Sequence, residues 1–334
     1  MPLILTFTNE KLMIRRRQVV GASVGITTMR SAMAQDYPAQ AVRLIVPFAP
    51  GGPVDTFGRI LSRSLSEQLR QPVVLDNRAG AGGVVGMDAV AKAPPDGYTI
   101  GLGGPGALVV APSLLPRMPY STQRDFTPLA QAVGVPELLV VTPTLPVRDV
   151  QSLVALARAK PLALNFASAG NGTFPHLAGE LFRLRTGVDI THVPYRGGAP
   201  AVTDLVAGRV QMMFADAPVV MPQVRAGALI ALGVASGTRF ADLPDLPTLA
   251  EAGVPGIEAD SWYGLLGPAG LSPDRVAVLH RALVAALADP TTRRLLAEQG
   301  ARGVGDTPEA FAAHLRAETE KWSEVVRLAD VKPD

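Results

Sequence analysis

The stretch Arg43-Leu-Ile-Val-Pro-Phe-Ala-Pro-Gly-Gly-Pro-Val-Asp55 leaves this chain few folds to choose from. Arg43 to Val46 reads as a short, largely apolar strand of the kind buried on both faces of a parallel sheet. Prolines and paired glycines follow, and a helix is predicted from about Pro53. Its buried stripe is Phe57, Leu61, Leu65 and Leu69, broadened by Ile60. Gly51 and Gly52 leave N–H groups uncovered at a helix N-terminus, where orphan donors and the positive end of the helix dipole favour an anion. Asp55 in the first turn is either a partner for that dipole or a group that faces a ligand's amine or hydroxyl.

The same pattern returns in the second half. Leu164 to Ala167 reads as a strand, and Ser168-Ala-Gly-Asn-Gly-Thr173 is a Gly-rich loop. The helix it opens carries Pro175 in its first turn and Leu177, Leu181 and Leu184 behind it. Around these twin motifs strand and helix alternate. Strands at Val73–Leu75 and Tyr98–Leu102 complete a first doubly wound α/β unit, with a second Gly-rich loop at Asn77–Gly83 and a helix from Val84 to Ala93 between them. Strands at Leu138–Thr142, Thr191–Pro194, Val210–Ala215 and Leu229–Ala235 complete a second, and Asp149 is the expected N-cap of a helix running to Ala159. Gly101-Leu-Gly-Gly-Pro-Gly106 fails as a dinucleotide fingerprint, because Pro105 and the lack of a helix pattern after it break the strand-turn-helix context.

Leu243 to Gly256, rich in proline and glycine, returns the chain to a strand at Ala259–Leu266. Three helices follow, at Pro273–Ala288, Thr291–Gln299 and beyond Thr307-Pro308. Phe311, Leu315 and Trp322 suit the last of them to docking on the first unit. The expected organisation is two α/β lobes, one of residues 35–135 with 259–334 and the other of 136–258. Ligands of such sheets sit outside the carboxyl ends of the strands, so the two Gly loops are expected to face each other across a cleft.

Residues 1–34 have the features of an export signal: Arg15 to Arg17, a weakly apolar Val19 to Met29, and Ala32-Met-Ala34 before the cleavage point. Arg16-Arg17-Gln18-Val19-Val20 also fits a twin-arginine signal. Met13 would serve as an ordinary signal start as well as Met1. The 334-residue chain carries a net charge of +2, but its first 34 residues hold five of the 31 basic side chains and one of the 29 acidic ones. The remaining 26 basic and 28 acidic residues give no electrostatic footprint for nucleic acid. Cysteine is absent, and the four histidines, His176, His192, His280 and His314, are not at metal-ligand spacing. Neither metal nor cofactor is expected, and with no heptads the chain is expected to be a monomer.

Tyr-Pro-x-x-x-Val-Arg-Leu-Ile-Val-Pro-Phe-Ala-Pro-Gly-Gly-x-x-Asp55, followed by Asn77-Arg-Ala-Gly-Ala-Gly-Gly, Ala91-Lys-Ala-x-Pro-Asp-Gly-Tyr98, His192-Val-Pro-Tyr, Gly208-x-Val-x-x-Met-Phe-x-Asp216, Leu243-Pro-Asp-x-Pro-Thr and Glu251-Ala-Gly, resembles the Bug family. These are substrate-binding proteins related to the tripartite tricarboxylate transporters, and the match runs from about Tyr37 to the last helix. The resemblance implies a type II periplasmic binding protein that closes on a small organic carboxylate, with a membrane transporter or a sensor as its partner. It implies a ligand held by backbone N–H groups and ordered waters of two facing loops, here Pro47 to Asp55 and Ser168 to Thr173.

The expected ligand-binding residues are therefore Phe48, Ala49, Pro50, Gly51, Gly52 and Asp55 on one loop and Ser168, Gly170, Asn171, Gly172 and Thr173 on the other. His176, one turn into its helix, either donates to the ligand or caps and packs. Tyr195 and Asp216 join the set because they lie at carboxyl ends of second-lobe strands. Arg196 beside Tyr195 is either a carboxylate clamp or a solvated charge, and Trp262 with Tyr263 reads as hinge or wall packing. The sequence departs from the family at Ala111-Pro112, where Asn-Pro is common, and at Gly103-Gly-Pro-Gly, where the family is more polar. A bulkier or more apolar acid is the expectation from that bare stretch. The competing reading is a secreted hydrolase using Ser168, His176 and Asp216, although Ser168 lacks the Gly-x-Ser-x-Gly elbow.

Overall fold

A computed structural model describes residues 37–332; the expected export signal, 1–34, lies outside the described residues. The first strands and helices are β1 (Val42–Val46), α1 (Pro53–Leu69), β2 (Val73–Asn77), α2 (Val84–Ala91), β3 (Thr99–Gly103), α3 (Ala111–Leu114) and β4 (Phe126–Val135). There follow β5 (Glu137–Val141), α4 (Val150–Ala159), β6 (Asn165–Ser168), α5 (Phe174–Thr186), β7 (Thr191–Pro194), α6 (Gly198–Val206), β8 (Met212–Asp216), α7 (Ala217–Arg225) and β9 (Ile230–Val234). The chain closes with β10 (Ser261–Pro268), α8 (Pro273–Ala288), α9 (Pro290–Glu298), β11 (Arg302–Gly303) and α10 (Pro308–Leu328).

Two sheets organise these elements, one ordered β11-β4-β10-β3-β1-β2 and the other β7-β6-β8-β5-β9. β1 is parallel to β2 and β3, and β6 is parallel to β7 and β8. β10 runs antiparallel to β3 and β4, as β5 does to β8 and β9. Each sheet is thus parallel where a Gly loop leaves it and antiparallel where the chain crosses to or from the other. The result is two doubly wound α/β lobes. β4 crosses to β5 at Pro136, and the return segment enters β10 after Ala259. Backbone bonds lace the crossings: Ala217 N–H to Pro136 O (2.9 Å), Ala235 N–H to Glu137 O (2.8 Å) and Ala259 N–H to Ala235 O (2.8 Å).

Local sequence explains most of this. Val42, Leu44, Ile45 and Val46 are buried, as a covered parallel strand requires. Phe57, Leu61 and Leu65 bury the predicted stripe of α1 against it. α4 begins where expected, with Asp149 Oδ1 accepting from Ser152 N–H at 2.7 Å in a capping box. α10 docks through buried Phe311, Leu315 and Trp322, and Trp262 of β10 and Trp322 both donate indole N–H groups to Glu318 Oε2 (3.1 and 2.8 Å). That shared carboxylate pins the closing helix to the strand that returns from the second lobe.

Two segments differ from the sequence reading. A helix does follow Pro105: a π-helical turn, Gly106–Val110, runs straight into α3. Ala107 to Val110 are all buried, so the stretch has no polar face and none of the periodicity that announces a helix. β4 was not anticipated either. Pro128 and Gln131 interrupt its apolar run, and Pro128 is accommodated at an irregularity in the pairing with β10.

Candidate functional site

The loop that opens α1 folds back on its own helix. Gly52, extended at φ −83° and ψ 171°, is the N-cap and Pro53 the first helical residue, so no side chain caps this end. Asp55, in the first turn, accepts instead from the loop that precedes the helix. Its Oδ2 takes the Gly51 N–H at 3.0 Å and Arg59 Nε at 2.8 Å, and its Oδ1 takes Asn77 Nδ2 at 2.9 Å and Arg59 Nη2 at 3.3 Å. Asn77 Nδ2 also donates to Phe48 O at 3.0 Å, which ties the end of β2 to the loop. Asp55 is 2% exposed, and the Arg59 guanidinium, helped by the Gly51 and Asn77 donors, holds its carboxyl down at about 2. Phe48 and Gly52 are half-buried, whereas Ala49, Pro50 and Gly51 are exposed.

The loop that opens α5 repeats the geometry with different chemistry. Gly172 N–H donates to His176 Nδ1 at 3.0 Å, so the acceptor again lies four residues on. Accepting at Nδ1 leaves a neutral ring protonated at Nε2, which faces Glu180 Oε1 at 3.8 Å. His176 lies flat on His192, with ring centroids 3.7 Å apart and planes 8° apart. His192 Nε2 meets Ser168 Oγ at 2.6 Å, and Ser168 Oγ also bonds Gly170 O (3.0 Å) and Gly170 N–H (3.1 Å). Burial, then the neighbouring His176, pushes His192 down to about 3. Thr173 does not cap α5; its Oγ1 donates to Gly170 O at 2.7 Å. Asn171 sits half-buried between these glycines. Tyr195 N–H donates to Ser168 O at 3.1 Å, while its hydroxyl turns to Asp204 Oδ2 at 2.9 Å.

Asp216 belongs to a third group, at the crossing. It ends β8 directly opposite Glu137 of β5. Glu137 is fully buried and neither of its carboxyl oxygens has a partner, nor has Asp216 Oδ1. Burial drives both acids upward: Asp216 to about 6 despite a Ser261 hydrogen bond, and Glu137 well above the carboxylate range, with Asp216 and Asp260 adding to it. Tyr263, raised by burial and by the same two acids, packs on Phe57 with centroids 5.6 Å apart. Its ring fills the space beside Gly104, where an added Cβ would sit 2.8 Å from Tyr263 Cε1. The bare Gly103-Gly stretch is therefore lined by an aromatic ring.

The loop that opens α5 meets the helical run after β3 at Leu114. Gly172 sits at φ +68°, and a Cβ there would lie 2.5 Å from Leu114 Cδ1. Leu114 ends the helical run that begins at Gly106. Ala107 of that run and Phe48 both lie 3.4 Å from where a Cβ of Gly83 would be. The two Gly loops are thus linked through the helical run after β3. Phe174 of α5 also touches Trp322 of α10, with ring centroids 4.7 Å apart.

Ser168, Gly170, Gly172, Thr173 and His176 form one network, and Gly51, Asp55 and Phe48 another. Asp216 stands with Glu137 and Tyr263. Ser168 Oγ bonds His192, and the Nδ1 of His176 is taken by Gly172, so the hydrolase grouping of Ser168, His176 and Asp216 is not assembled. Four N–H groups in the two loops, those of Gly51, Gly170, Gly172 and Thr173, donate inward. Helix geometry leaves the first-turn N–H groups of Val54, Asp55 and Phe174 without intrahelical acceptors. Sequence reasoning missed His192, Glu137 and Arg59. Glu137 could have been suspected as a lone acid opening the apolar strand Glu137-Leu-Leu-Val-Val, and Arg59 as the i+4 partner of Asp55. The His176–His192 stack had no local signal. Among the described residues no group of three or more His, Asp or Glu could hold a metal, and no helix is long and apolar enough to cross a membrane.

The profile of the tripartite tricarboxylate transporter family receptors matches residues 57–330. The chain is similar to the protein BugT of Bordetella pertussis, with 38% identity over 322 residues, 96% of this chain and 99% of the relative. Among solved structures it resembles R. palustris Rpa4515 with adipate, at 38% identity and TM-score 0.76, covering 90% of this chain and all of that one. It also resembles MatC from Rhodopseudomonas palustris with bound malate, at 34% identity and TM-score 0.71, covering 87% of this chain and all of that one.

Proposed function

The chain belongs to the tripartite tricarboxylate transporter receptor family, and from that premise we propose that it is a periplasmic solute-binding protein that captures a small organic carboxylate between its lobes. The observation that carries this reading is the pair of helices with a proline in the first turn, α1 and α5, each opened by a Gly loop and each standing on a different sheet. An anion between them would meet two helix N-termini at once. The inward bonds of Gly51, Gly170 and Gly172 fix the loops, and the N–H groups of Val54, Asp55 and Phe174 receive the carboxylate. In this scheme Asp55 and His176 hold the loops in shape, while Phe48, Gly52, Asn171 and Thr173 border the ligand and Asp216 lies at its hinge end.

The lobes are residues 35–135 with 259–334, and 136–258, a division supported by which strands share a sheet. Closure bends the crossings at Pro136 and Ala259, with ligand binding favouring the closed form. The half-buried Phe48, Leu114 and Tyr263 give this side of the site an apolar wall, which supports an acid with a methylene chain; the adipate complex of Rpa4515 supports it too. Residues 1–34 direct export and are removed near Ala34, by the general or the twin-arginine route. A membrane transporter or a sensor reads the loaded form, and the chain acts as a monomer. It binds without turnover, since Ser168 is fully buried and engaged by His192 and Gly170.

A thermal-shift series over organic acids tests the ligand class, because a bound ligand raises the melting temperature with occupancy. Adipate and longer diacids should shift it more than malate or succinate; shifts by malate and succinate alone would end the apolar-acid reading. Small-angle scattering should show a smaller radius at saturation. Ester or amide turnover that disappears on Ser168→Ala would overturn the binding-only reading.

A further inference from the structure

A cavity of about 570 Å³ lies between the segment after β9 and the α8–α9–β11 region, with Pro136 of the crossing in its lining. β9 and β11 are the sheet edges opposite the β1–β2 and β6–β7 sides, so the crossing segments separate this cavity from the Gly loops. Each lobe contributes a wall: Ser236 to Asp242, beyond β9, face Leu287, Arg293 and the Arg302–Gly305 strip. The volume is within the range of roughly 300–1,000 Å³ typical of small-molecule sites. Phe240, Leu287 and Val304 give it an apolar lining, and the exposed Val284 lies at its edge.

The charge around this lining is one-sided. Arg239, Arg293 and Arg302 face the cavity with a single acid, Asp242. Asp242 is already paired with Arg225 at 2.9 Å, and Arg239 with Glu251 at 2.8 Å. Arg302 reaches Asp260 only at 3.7 Å, and that acid also accepts the hydroxyl of Ser236. Arg293 donates Nε to Leu287 O at 3.2 Å and takes part in no ion pair among the described residues. Arg293 therefore brings positive charge that no acid offsets among the described residues, and Arg302 adds charge met only at 3.7 Å by Asp260. A planar guanidinium beside an apolar surface suits a carboxylate whose other end must leave water.

We propose that this cavity is a second binding site, for an organic monoacid with an apolar body, its carboxylate on Arg293 and Arg302 and its body against Phe240 and Leu287. The site shares no residue with the Gly loops and does not rest on the ligand class proposed for them.

The test uses 4-bromobenzoate with the full chain. Calorimetric titration compares the wild type with Arg293→Gln/Arg302→Gln, which removes charge but keeps most of the side-chain volume, and with Ala297→Trp, which fills the cavity and keeps both charges. Near-ultraviolet circular dichroism confirms that each variant is folded, as the exposure of all three positions leads one to expect. The double variant should weaken binding by about ten-fold or more, and Ala297→Trp should abolish it. The bromine's anomalous signal in co-crystals should fall between Phe240 and Leu287. No binding at millimolar concentration, equal binding by all three proteins, or bromine only at the Gly loops would overturn the proposal and leave solvated arginines around a groove.

Discussion

The loops that open α1 and α5 use one device with two chemistries. In each, a glycine N–H turns back to an acceptor four residues on: Gly51 to Asp55 and Gly172 to His176, both at 3.0 Å. Asp55 is a buried carboxylate tied to Arg59 and Asn77, a charged anchor completed within its own lobe. His176 is a buried imidazole stacked on His192, in a network that reaches Ser168 and is neutral at the rings. The first loop is therefore fixed by charge and the second by stacking and neutral hydrogen bonds. The second is also the one that meets Leu114, in the helical run after β3.

The largest effect should separate the two acceptors. Asp55→Ala removes the buried acceptor that ties the exposed Gly51 and the half-buried Asn77 to α1 and should cost about 2–3 kcal/mol of unfolding free energy. His176→Ala breaks a neutral bond and a stack and should cost about 1–2 kcal/mol. Urea denaturation midpoints check both, and equal losses would break the contrast between a charged and a neutral anchor.

Acid should also tell the loops apart. His192 is held below its ordinary 6.5, at about 3, so as pH falls the unfolded chain takes up the proton first. Its stabilisation is whole above pH 6.5 and is lost between 6.5 and about 3, with a limiting slope near 1.4 kcal/mol per pH unit. Asp55 is depressed from 3.8 to about 2, so its stabilisation is whole above 3.8 and is lost only as pH falls toward 2. Asp216 acts in the opposite sense: raised to about 6, it gives stabilisation that is whole below 3.8 and is lost as pH rises through 6. His192→Gln should flatten the loss of stability between pH 6.5 and 5, and Asp216→Asn should flatten the opposing trend. Asp55→Asn should leave that window unchanged. Denaturation series at stepped pH measure all three.

The smallest effect compares the glycines themselves. Gly51 is at φ +88° with nothing within 4 Å of an added Cβ, so Gly51→Ala should cost only the left-handed backbone, about 1–2 kcal/mol. Gly172→Ala, at φ +68°, should cost a similar amount plus a small shift of the Leu114 side-chain end, and should also weaken ligand binding because Leu114 lies in the helical run after β3. Isothermal titration with the acid selected by the thermal screen checks this. Equal affinity in the two variants would mean that the Leu114 contact is unimportant for closure.

Much of the architecture was legible locally. The apolar run of β1, the four-residue spacing along α1, the Asp149 cap of α4 and Pro308 at the start of α10 each announce their element, because backbone propensity and burial on one face are properties of neighbouring residues. The segments that were not legible lack that locality. Gly106 to Leu114 has no polar face to set a period, and β4 accepts Pro128 only because its pairing with β10 is irregular there. In the candidate site, the Gly loops and Asp55 are visible as a motif, but the bond from Asp55 to Asn77 of β2 has no local signal, because it joins residues 22 apart in the chain.

The sequence alone determined two Gly-rich helix starts, the alternation that sets each on its own sheet, and the family resemblance. Tertiary structure decided which N–H groups turn inward. It brought His192 of β7 onto His176 of α5, set Glu137 against Asp216 across β5 and β8, and filled the space at Gly104 with Tyr263. The physical reason is that a hydrogen-bond acceptor or a buried charge is defined by what surrounds it. Those surroundings come from strands and helices far apart in the chain.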